Sequence, residues 1–251
     1  MEREILITDL TTMGEDRVCV AGIDREGSTF RPILPNGVRR LHLFRDGQVI
    51  VRPRALLGMR LHAIRSAAPH IEDFNWHWPE WTRCVEMVDE DCWQQRLREL
   101  AEEHAASYFG GNLQAHRGAR RRKLRQNNAS CSLATLVDVR ICHVAFDPER
   151  NSPVRLYFCD ANEEFYDDIP VTDLGLHDWS LLCIRQGQGP EAISECLKKA
   201  FTESQEVVLR VGLGRNRYGW CWFQVNGIYT FPDWLEGRCF ADFEDRRPRL
   251  L

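Results

Sequence analysis

One short segment carries residue types that could do acid–base or metal chemistry. His70, Glu72 and Asp73 lie within four positions of one another, after a stretch that reads as a β-strand. An imidazole and two carboxylates this close could hold a divalent ion, or supply a base with its orienting carboxylate. A polar turn in which Glu72 or Asp73 caps backbone amides is the simpler interpretation. We predict that the three residues help to bind a ligand, and we assign no residue as catalytic or as a metal ligand.

A second segment is strongly basic and could bind phosphate. Six of the nine residues from 117 to 125 are basic and none is acidic. They are Arg117, Arg120, Arg121, Arg122, Lys123 and Arg125. Arginine binds phosphate bidentately, and each phosphate contact releases counterions. The run predicts a nucleic-acid-binding arm, with a plain linker or a protein-docking arm as alternatives. Because the whole chain carries a net charge of -4, any attraction for polyanions must be local.

Tryptophans could supply stacking surfaces in two places. Trp220 and Trp222 share one face of a predicted strand, since side chains alternate with period two. That face could stack bases or pack the core, and the apolar Cys221 on the opposite face favours burial on both sides. Trp76, Trp78 and Trp81 lie in a proline-bearing stretch. They could be exposed and stack on the bases of a ligand, bind a protein partner, or pack this loop against the rest of the protein.

Motifs of the common enzyme classes are missing from the sequence. It contains no Walker-type loop, Gly-x-Gly-x-x-Gly, Gly-x-Ser-x-Gly or His-Glu-x-x-His. Ten cysteines are present, but no two lie within four positions, so paired zinc ligands are not expected. Most have apolar neighbours and predict reduced thiols in the core. We therefore expect no cofactor and favour a non-catalytic protein.

Hydropathy and charge predict a soluble, cytoplasmic protein without a membrane partner. The mean hydropathy is -0.41, and no apolar run approaches the length that spans a bilayer. The first four residues are charged or polar apart from Met1 and lead directly into a predicted strand, unlike a signal peptide.

The elements that must position these residues are mainly strands. Three short apolar runs between residues 5 and 34 are separated by turns at Gly14 and Gly27, which predicts an antiparallel meander. Two further runs, at 49–51 and 59–64, bring the count to five strands before residue 67, the number in an OB-fold barrel. A helix is predicted over 89–108, with acidic residues at its start and Gly110 at its end.

The second half is predicted to follow a similar plan. A long strand at 133–146 and a hairpin around 154–166 precede a helical insertion at about 172–203. Strands return at 207–211 and 220–225. The basic segment 112–130 ends in turn-forming residues, so we place a domain boundary there. The predicted domains are 1–111, a basic linker or arm at 112–130, and 131–251.

Several of these segments carry a family resemblance. They are ILITD at 5–9, RVCVAGID at 17–24, FRPI at 30–33, VGLGR at 211–215 and CWFQVNGIY at 221–229. On these segments the chain resembles the prokaryotic dual OB-fold domain proteins. The resemblance implies two OB-like barrels in tandem. It also implies non-catalytic binding of nucleic acid or a nucleotide-like ligand, in some cases in defence or conflict systems.

Together these observations predict a mainly β protein, α+β by content, built from two tandem OB-like β-barrels with helical insertions. We expect nucleic acid or a nucleotide-derived ligand to bind at the first barrel's face and rim, with help from the second barrel and from the basic run. The residues predicted for this ligand site are Thr11, Thr12, Arg31, His70, Glu72, Asp73, Arg215 and Arg217. A protein–protein adaptor and a metal-dependent hydrolase or nuclease using His70, Glu72 and Asp73 are the alternative functions.

Overall fold

The computed structural model describes residues 2–14, 16–102, 109, 113–116, 119–125, 131–215 and 218–243. Within these ranges the chain is mainly β, as the sequence predicted. The strands of the first half are β1 (Glu2–Thr12), β2 (Arg17–Ile23), β3 (Thr29–Ile33), β4 (Val38–Arg39), β5 (Phe44–Arg45), β6 (Gln48–Val49), β7 (Ala55–Ala63), β8 (Asp73–Trp76), β9 (Thr82–Met87) and β10 (Ala101–Glu102).

The remaining strands and the helices follow along the chain. The strands are β11 (Gln114–His116), β12 (Ala119–Arg125), β13 (Leu133–Leu136), β14 (Arg140–Phe146), β15 (Val154–Cys159), β16 (Phe165–Pro170), β17 (Glu206–Leu213) and β18 (Trp220–Phe231). The α-helices in the described ranges are α1 (Glu90–Glu99), α2 (Leu174–Arg185) and α3 (Pro190–Thr202), and short 3-10 helices span Arg40–Leu43 and Phe240–Asp242. No helix in the part of the chain described here is long and apolar enough to cross a membrane.

Five strands of the first half close into a barrel. Strand β1 pairs antiparallel with β7 through residues 2–6 and with β2 through residues 6–12. Strand β2 pairs with β3, β3 lies parallel to β8, and β8 pairs with β7, which completes the circle. We predicted a barrel strand at 49–51. The fifth strand is β8 instead, because residues 48–49 pair with β5 in a separate hairpin.

Local sequence explains the meander that begins the barrel. Gly14 and Gly27 have φ values of 88° and 82°, in the left-handed region that suits glycine at the turns joining β1, β2 and β3. Between the turns, apolar side chains point into the barrel. Ile5, Ile7 and Leu57 are fully buried and belong to one core cluster. Their burial supplies the hydrophobic driving force for closing the sheet.

The second half contains a similar order of strand neighbours. Strand β17 pairs with β13 and β18, and β15 pairs with β14 and β16, all antiparallel. A parallel bridge between Val171 and Val225 joins the end of β16 to β18. Residues 137–139 separate β13 from β14, so the long strand that we predicted over 133–146 is interrupted.

Two helices occupy the predicted insertion at about 172–203. Helix α2 begins after Asp173, whose carboxylate accepts the backbone N–H of Leu176 at 2.8 Å, as a helix N-cap does. Helix α3 starts at Pro190, a residue suited to the first helical turn because its missing N–H would have no helical partner. Its Ile193 and Leu197 are fully buried in the core of the second half.

The helix predicted over 89–108 is shorter in the structure. Asp89 caps α1 by accepting the Cys92 N–H at 2.7 Å, and Trp93 and Leu97 form its buried face. Helix α1 ends at Glu99, and residues 101–102 pair in parallel with β13. In the sequence, apolar residues continue at helical spacing past Glu99. In the structure, the backbone at residues 101–102 instead forms hydrogen bonds with the distant strand β13. Residues 103–108 lie outside the described part of the chain.

The basic segment predicted as a linker or arm contains two paired strands. Strand β11 pairs with β12, and β12 pairs antiparallel with β18 in a six-stranded sheet. Leu124 anchors this segment, since it is 1 % exposed and packs in the core of the second half. The burial of this one apolar residue therefore holds the charged segment in the sheet. The charge composition of the segment did not indicate that.

The cysteines are free, but fewer are buried than we predicted. Four are buried: Cys159, Cys183, Cys221 and Cys239. Four are exposed: Cys84, Cys92, Cys142 and Cys196. The prediction that most of the thiols fill the core is wrong, because an apolar neighbour in a strand sequence does not determine which face of the strand a cysteine occupies.

Candidate functional site

Several predicted site residues meet where the two halves of the chain touch. Arg31 on β3 is paired in register with Asp73 on β8, and Nε of Arg31 lies 2.5 Å from Oδ1 of Asp73. The other oxygen of Asp73 lies 2.9 Å from Nη1 of Arg215, from the second half. Arg31 and Asp73 are both buried, so these opposite charges are removed from water together. We call Arg31, His70, Glu72, Asp73, Ser132 and Arg215 the junction cluster.

Glu72 connects to Ser132, a residue that sequence reasoning missed. The backbone N–H of Ser132 donates to Oε1 of Glu72 at 2.7 Å, and its hydroxyl donates to Oε2 at 3.0 Å. Nη1 of Arg31 lies 3.5 Å from the same hydroxyl oxygen. Ser132 gave no signal in the sequence because its partner lies 60 positions away and a single serine has no distinctive pattern.

These contacts bear on the metal and hydrolase hypotheses. Both carboxylates already accept hydrogen bonds from protein donors, Asp73 from Arg31 and Glu72 from Ser132. Among the residues that the structure describes, no group of three or more His, Cys, Asp or Glu side chains is placed to hold a metal ion. The geometry therefore offers no support for metal-dependent hydrolysis at Glu72 and Asp73.

His70 differs from its neighbours in the junction cluster. Its side chain is buried, and neither ring nitrogen has a hydrogen-bond partner among the described residues. Burial, reinforced by the charges of Arg31 and Arg215, lowers the pKa of His70 from 6.5 to about 3. The ring is therefore neutral at physiological pH, with one nitrogen able to donate and the other able to accept a hydrogen bond.

The predicted threonines make a different contact between the halves. Thr11 is buried and forms a β-bridge with Asp173, and the N–H of Thr12 donates to the carbonyl of Thr172 at 2.8 Å. Both threonines therefore face the segment that leads into α2, and among the described residues no hydrogen bond joins either of them to Arg31. Arg217 lies outside the described residues.

Part of the basic run lies beside tryptophans. Lys123 on β12 is the cross-strand partner of Trp222 on β18. Its Nζ lies 3.8 Å from the ring centroid of Trp220 and 5.4 Å from that of Trp222, within cation–π range of both rings. We call Lys123, Trp220 and Trp222 the Lys–Trp stripe. Arg117 and the side chains of Arg120, Arg121, Arg122 and Arg125 lie outside the described part of the structure.

The two faces of β18 differ at this point. Trp220 and Trp222 are half-buried on the face that carries Lys123, whereas Cys221 and Phe223 are buried on the other. The prediction of burial on both sides therefore holds for one face only. The half-buried face continues to Gln224, whose amide nitrogen donates to Oδ1 of Asn226 at 2.7 Å. Indole rings and amide groups thus share one strand face.

The tryptophans of the first half separate into two environments. Trp76 is buried, and its indole N–H donates to the Thr82 hydroxyl at 2.8 Å. Trp78 packs edge-on against Trp76, with ring centroids 5.0 Å apart. Trp81 is 45 % exposed and lies under the Arg60 guanidinium, 3.4 Å from its ring centroid. The first two therefore clamp the loop, and Trp81 presents an aromatic surface.

Comparison with protein-family models, with curated proteins and with solved structures found no match to this chain.

Proposed function

We propose that this protein binds nucleic acid or a nucleotide-derived ligand without catalysing a reaction. The observation that carries the proposal is the Lys–Trp stripe, in which the ammonium of Lys123, a lysine that is 8 % exposed, contacts two half-buried indole rings on the paired strands β12 and β18. Five of the seven residues of β12 are basic. Aromatic rings that stack bases, combined with cations that contact phosphates, are the means by which single-stranded nucleic acids are bound without sequence preference.

An OB-like fold in both halves would fit this proposal, because OB-folds are a common scaffold for oligonucleotide binding. We propose that both halves are OB-like barrels. In the first half five strands close through the parallel β3–β8 pair, and the second half repeats that neighbour order with an interrupted first strand. In OB-folds, oligonucleotides bind on the face of strands 2 and 3 and on two loops beside it. Strand β18, which carries the two tryptophans, belongs to the larger sheet of the second half.

The proposal is tested by binding measurements on the intact protein. Fluorescence anisotropy with labelled single-stranded DNA and RNA of about 16 nucleotides should show saturable binding that weakens as salt rises. Trp222→Ala should weaken binding by about fivefold to 150-fold, the range expected for loss of one stacked base. Trp81→Ala is the matched control, because Trp81 is an exposed tryptophan outside the stripe, and its variant should bind normally.

The results that would contradict the proposal are specific. The proposal would be overturned if the protein bound neither DNA nor RNA at low salt and if calorimetry detected no binding of mononucleotides. Equal losses in Trp222→Ala and Trp81→Ala would show that the stripe is not the binding surface. Circular dichroism of each variant establishes that the fold is retained.

One observation favours the adaptor as a second candidate function. Strand β9 is the last strand of its sheet and has five exposed residues, among them Val85 and Met87 at 44 % exposure. An edge strand with an apolar exposed surface can pair with an extended peptide from another protein. A partner bound there should stay bound at high salt, unlike a polyanion bound through arginine and lysine.

A further inference from the structure

A cavity between the two halves is separate from the junction cluster and from the Lys–Trp stripe. Its volume is about 70 Å³. One water molecule needs a cavity of about 10–15 Å³. Its walls come from residues 52–54 just before β7, from α1, from the end of β18 and from the segment that follows β18. The cavity therefore has room for more than a single water molecule.

Three arginines line this cavity, and backbone carbonyl groups position each of them. Nη2 of Arg52 donates to the Gly237 carbonyl at 2.7 Å, and Nε of Arg238 donates to the Leu235 carbonyl at 3.0 Å. Arg54 donates through Nε and Nη2 to a single carbonyl at 3.1 and 3.0 Å. These hydrogen bonds hold the arginine side chains in place, and none of them is an ion pair.

These arginines differ from the buried arginines elsewhere in the described structure. Arg31, Arg155 and Arg210 each pair with an aspartate. Within the described residues, neither Arg52 nor Arg238 forms an ion pair with a carboxylate; Arg238 is exposed, whereas Nε of Arg52 is buried with no hydrogen-bond partner. A buried guanidinium donor without an acceptor is costly, which points to an acceptor that a ligand would bring.

The carboxylates in the cavity wall are already occupied by backbone donors. Asp233 accepts the N–H of Leu235 at 3.0 Å and the N–H of Gly237 at 2.8 Å, and so shapes the turn that holds the arginines. Glu90 accepts the Asp233 N–H at 3.0 Å, and Asp173 caps α2. Because these three groups serve turns and helix starts, the guanidinium donors remain available.

The rest of the wall is largely apolar and aromatic. Trp93 packs edge-on against Tyr229 with ring centroids 5.2 Å apart, and Trp234 packs in the same way against Phe201 at 5.6 Å. Trp93, Tyr229 and Trp234 all line the cavity, beside Ile228 and Phe240. Ligand sites commonly combine an apolar lining with a few convergent charged groups.

We propose that this cavity binds a small organic anion, in which a flat apolar body lies among the aromatic side chains and an oxyanion accepts hydrogen bonds from Arg52 and Arg238. The charged group is a carboxylate or a phosphate monoester, since a guanidinium binds both through paired N–H donors. This site is independent of the nucleic-acid surface proposed above.

Calorimetry on the intact protein tests the charge requirement directly. The probes are benzoate, phenyl phosphate and benzamide, the last having nearly the shape of benzoate but no charge. We expect saturable binding of at least one of the two anions and at least tenfold weaker binding of benzamide. Absence of saturable binding by both anions, or equal binding of benzamide, would overturn the proposal without the use of any variant.

Variants then locate the binding. Arg52→Gln and Arg238→Gln should each weaken binding of the preferred anion by about tenfold or more, because each removes a charged donor. Arg65→Gln is the matched control, since Arg65 is exposed and outside the cavity, and it should leave affinity unchanged. Unchanged affinity in folded Arg52→Gln and Arg238→Gln would reject this cavity. Trp222→Ala should leave anion binding intact, so failure of the nucleic-acid proposal would be seen separately.

Discussion

Arg210 on β17 and Asp9 on β1 form a buried ion pair between the two halves of the chain, 201 positions apart in the sequence. Nε of Arg210 lies 3.0 Å from Oδ1 of Asp9, and the two side chains are 3 % and 1 % exposed. Arg210 also donates to the Thr135 hydroxyl at 2.6 Å, and the Thr8 hydroxyl donates to Asp9 at 2.7 Å. Because a buried charge is stable only with its partner, this pair couples the packing of one half to that of the other.

Removal of one charge from this pair should be strongly destabilising. Asp9→Asn leaves the Arg210 guanidinium buried without a counter-charge, and we expect a loss of about 3–5 kcal/mol in the free energy of unfolding. The double variant Asp9→Asn with Arg210→Met removes both charges and should recover part of that loss. Urea denaturation followed by circular dichroism measures both values.

A surface ion pair provides the control for that prediction. Arg98 lies 2.6 Å from Glu206 but is 56 % exposed, so Arg98→Gln should cost less than about 1 kcal/mol. If Asp9→Asn were no more destabilising than Arg98→Gln, the buried pair would not be important for holding the halves together.

Titration of Asp173 should lower the free energy of unfolding as the pH rises. Burial raises the pKa of this carboxyl from 3.8 to about 7 in the folded state, against the hydrogen bond from the Leu176 N–H, which lowers it. The unfolded chain loses this proton near pH 3.8, whereas the folded chain keeps it until about pH 7. The stabilising contribution is therefore complete below pH 3.8 and is lost between pH 3.8 and 7.

The variant Asp173→Asn tests this titration because asparagine keeps an oxygen to cap α2. Its free energy of unfolding, measured relative to wild type, should increase by a few kcal/mol between pH 4 and pH 7. A difference that is constant over this range would mean that Asp173 is ionised in the folded protein throughout.

His70 should have the opposite effect on the dependence of stability on pH. The folded protein keeps the ring neutral down to about pH 3, while the unfolded chain binds a proton below pH 6.5. The stabilising contribution of neutral His70 is therefore present above pH 6.5 and is lost as the pH falls to 3. His70→Gln should become more stable relative to wild type as the pH is lowered through this window. A flat difference would contradict the shift.

The thiols should separate into fast and slow classes. The exposed residues Cys92 and Cys142 should react quickly with a thiol reagent in the native protein, whereas Cys183 and Cys221 should react slowly because burial raises the pKa of both thiols. Titration with and without denaturant, followed by mass spectrometry of the labelled peptides, assigns each class. Fast native labelling of Cys183 or Cys221 would contradict their buried positions.

Local sequence determined the strand-rich class and several element boundaries. The apolar runs separated by Gly14 and Gly27 predicted the meander, and the residues at the helix starts, Asp173 and Pro190, predicted the helical insertion. These features depend on backbone conformation and on contacts within a few positions, so they can be read from the order of residues alone.

Tertiary structure decided which strands pair and what the charged residues contact. Charge composition indicated a linker at 112–130, but burial of Leu124 beside β18 brings β12 into a sheet. Arg31 and Asp73 were both predicted for a ligand site, yet their ion pair depends on the parallel pairing of β3 with β8. Arg52 and Arg238, which line the cavity, were not among the residues predicted for a site from the sequence. The physical reason is the same in each case: these contacts join positions tens to hundreds of residues apart, and their energy depends on burial that exists only after the halves have packed.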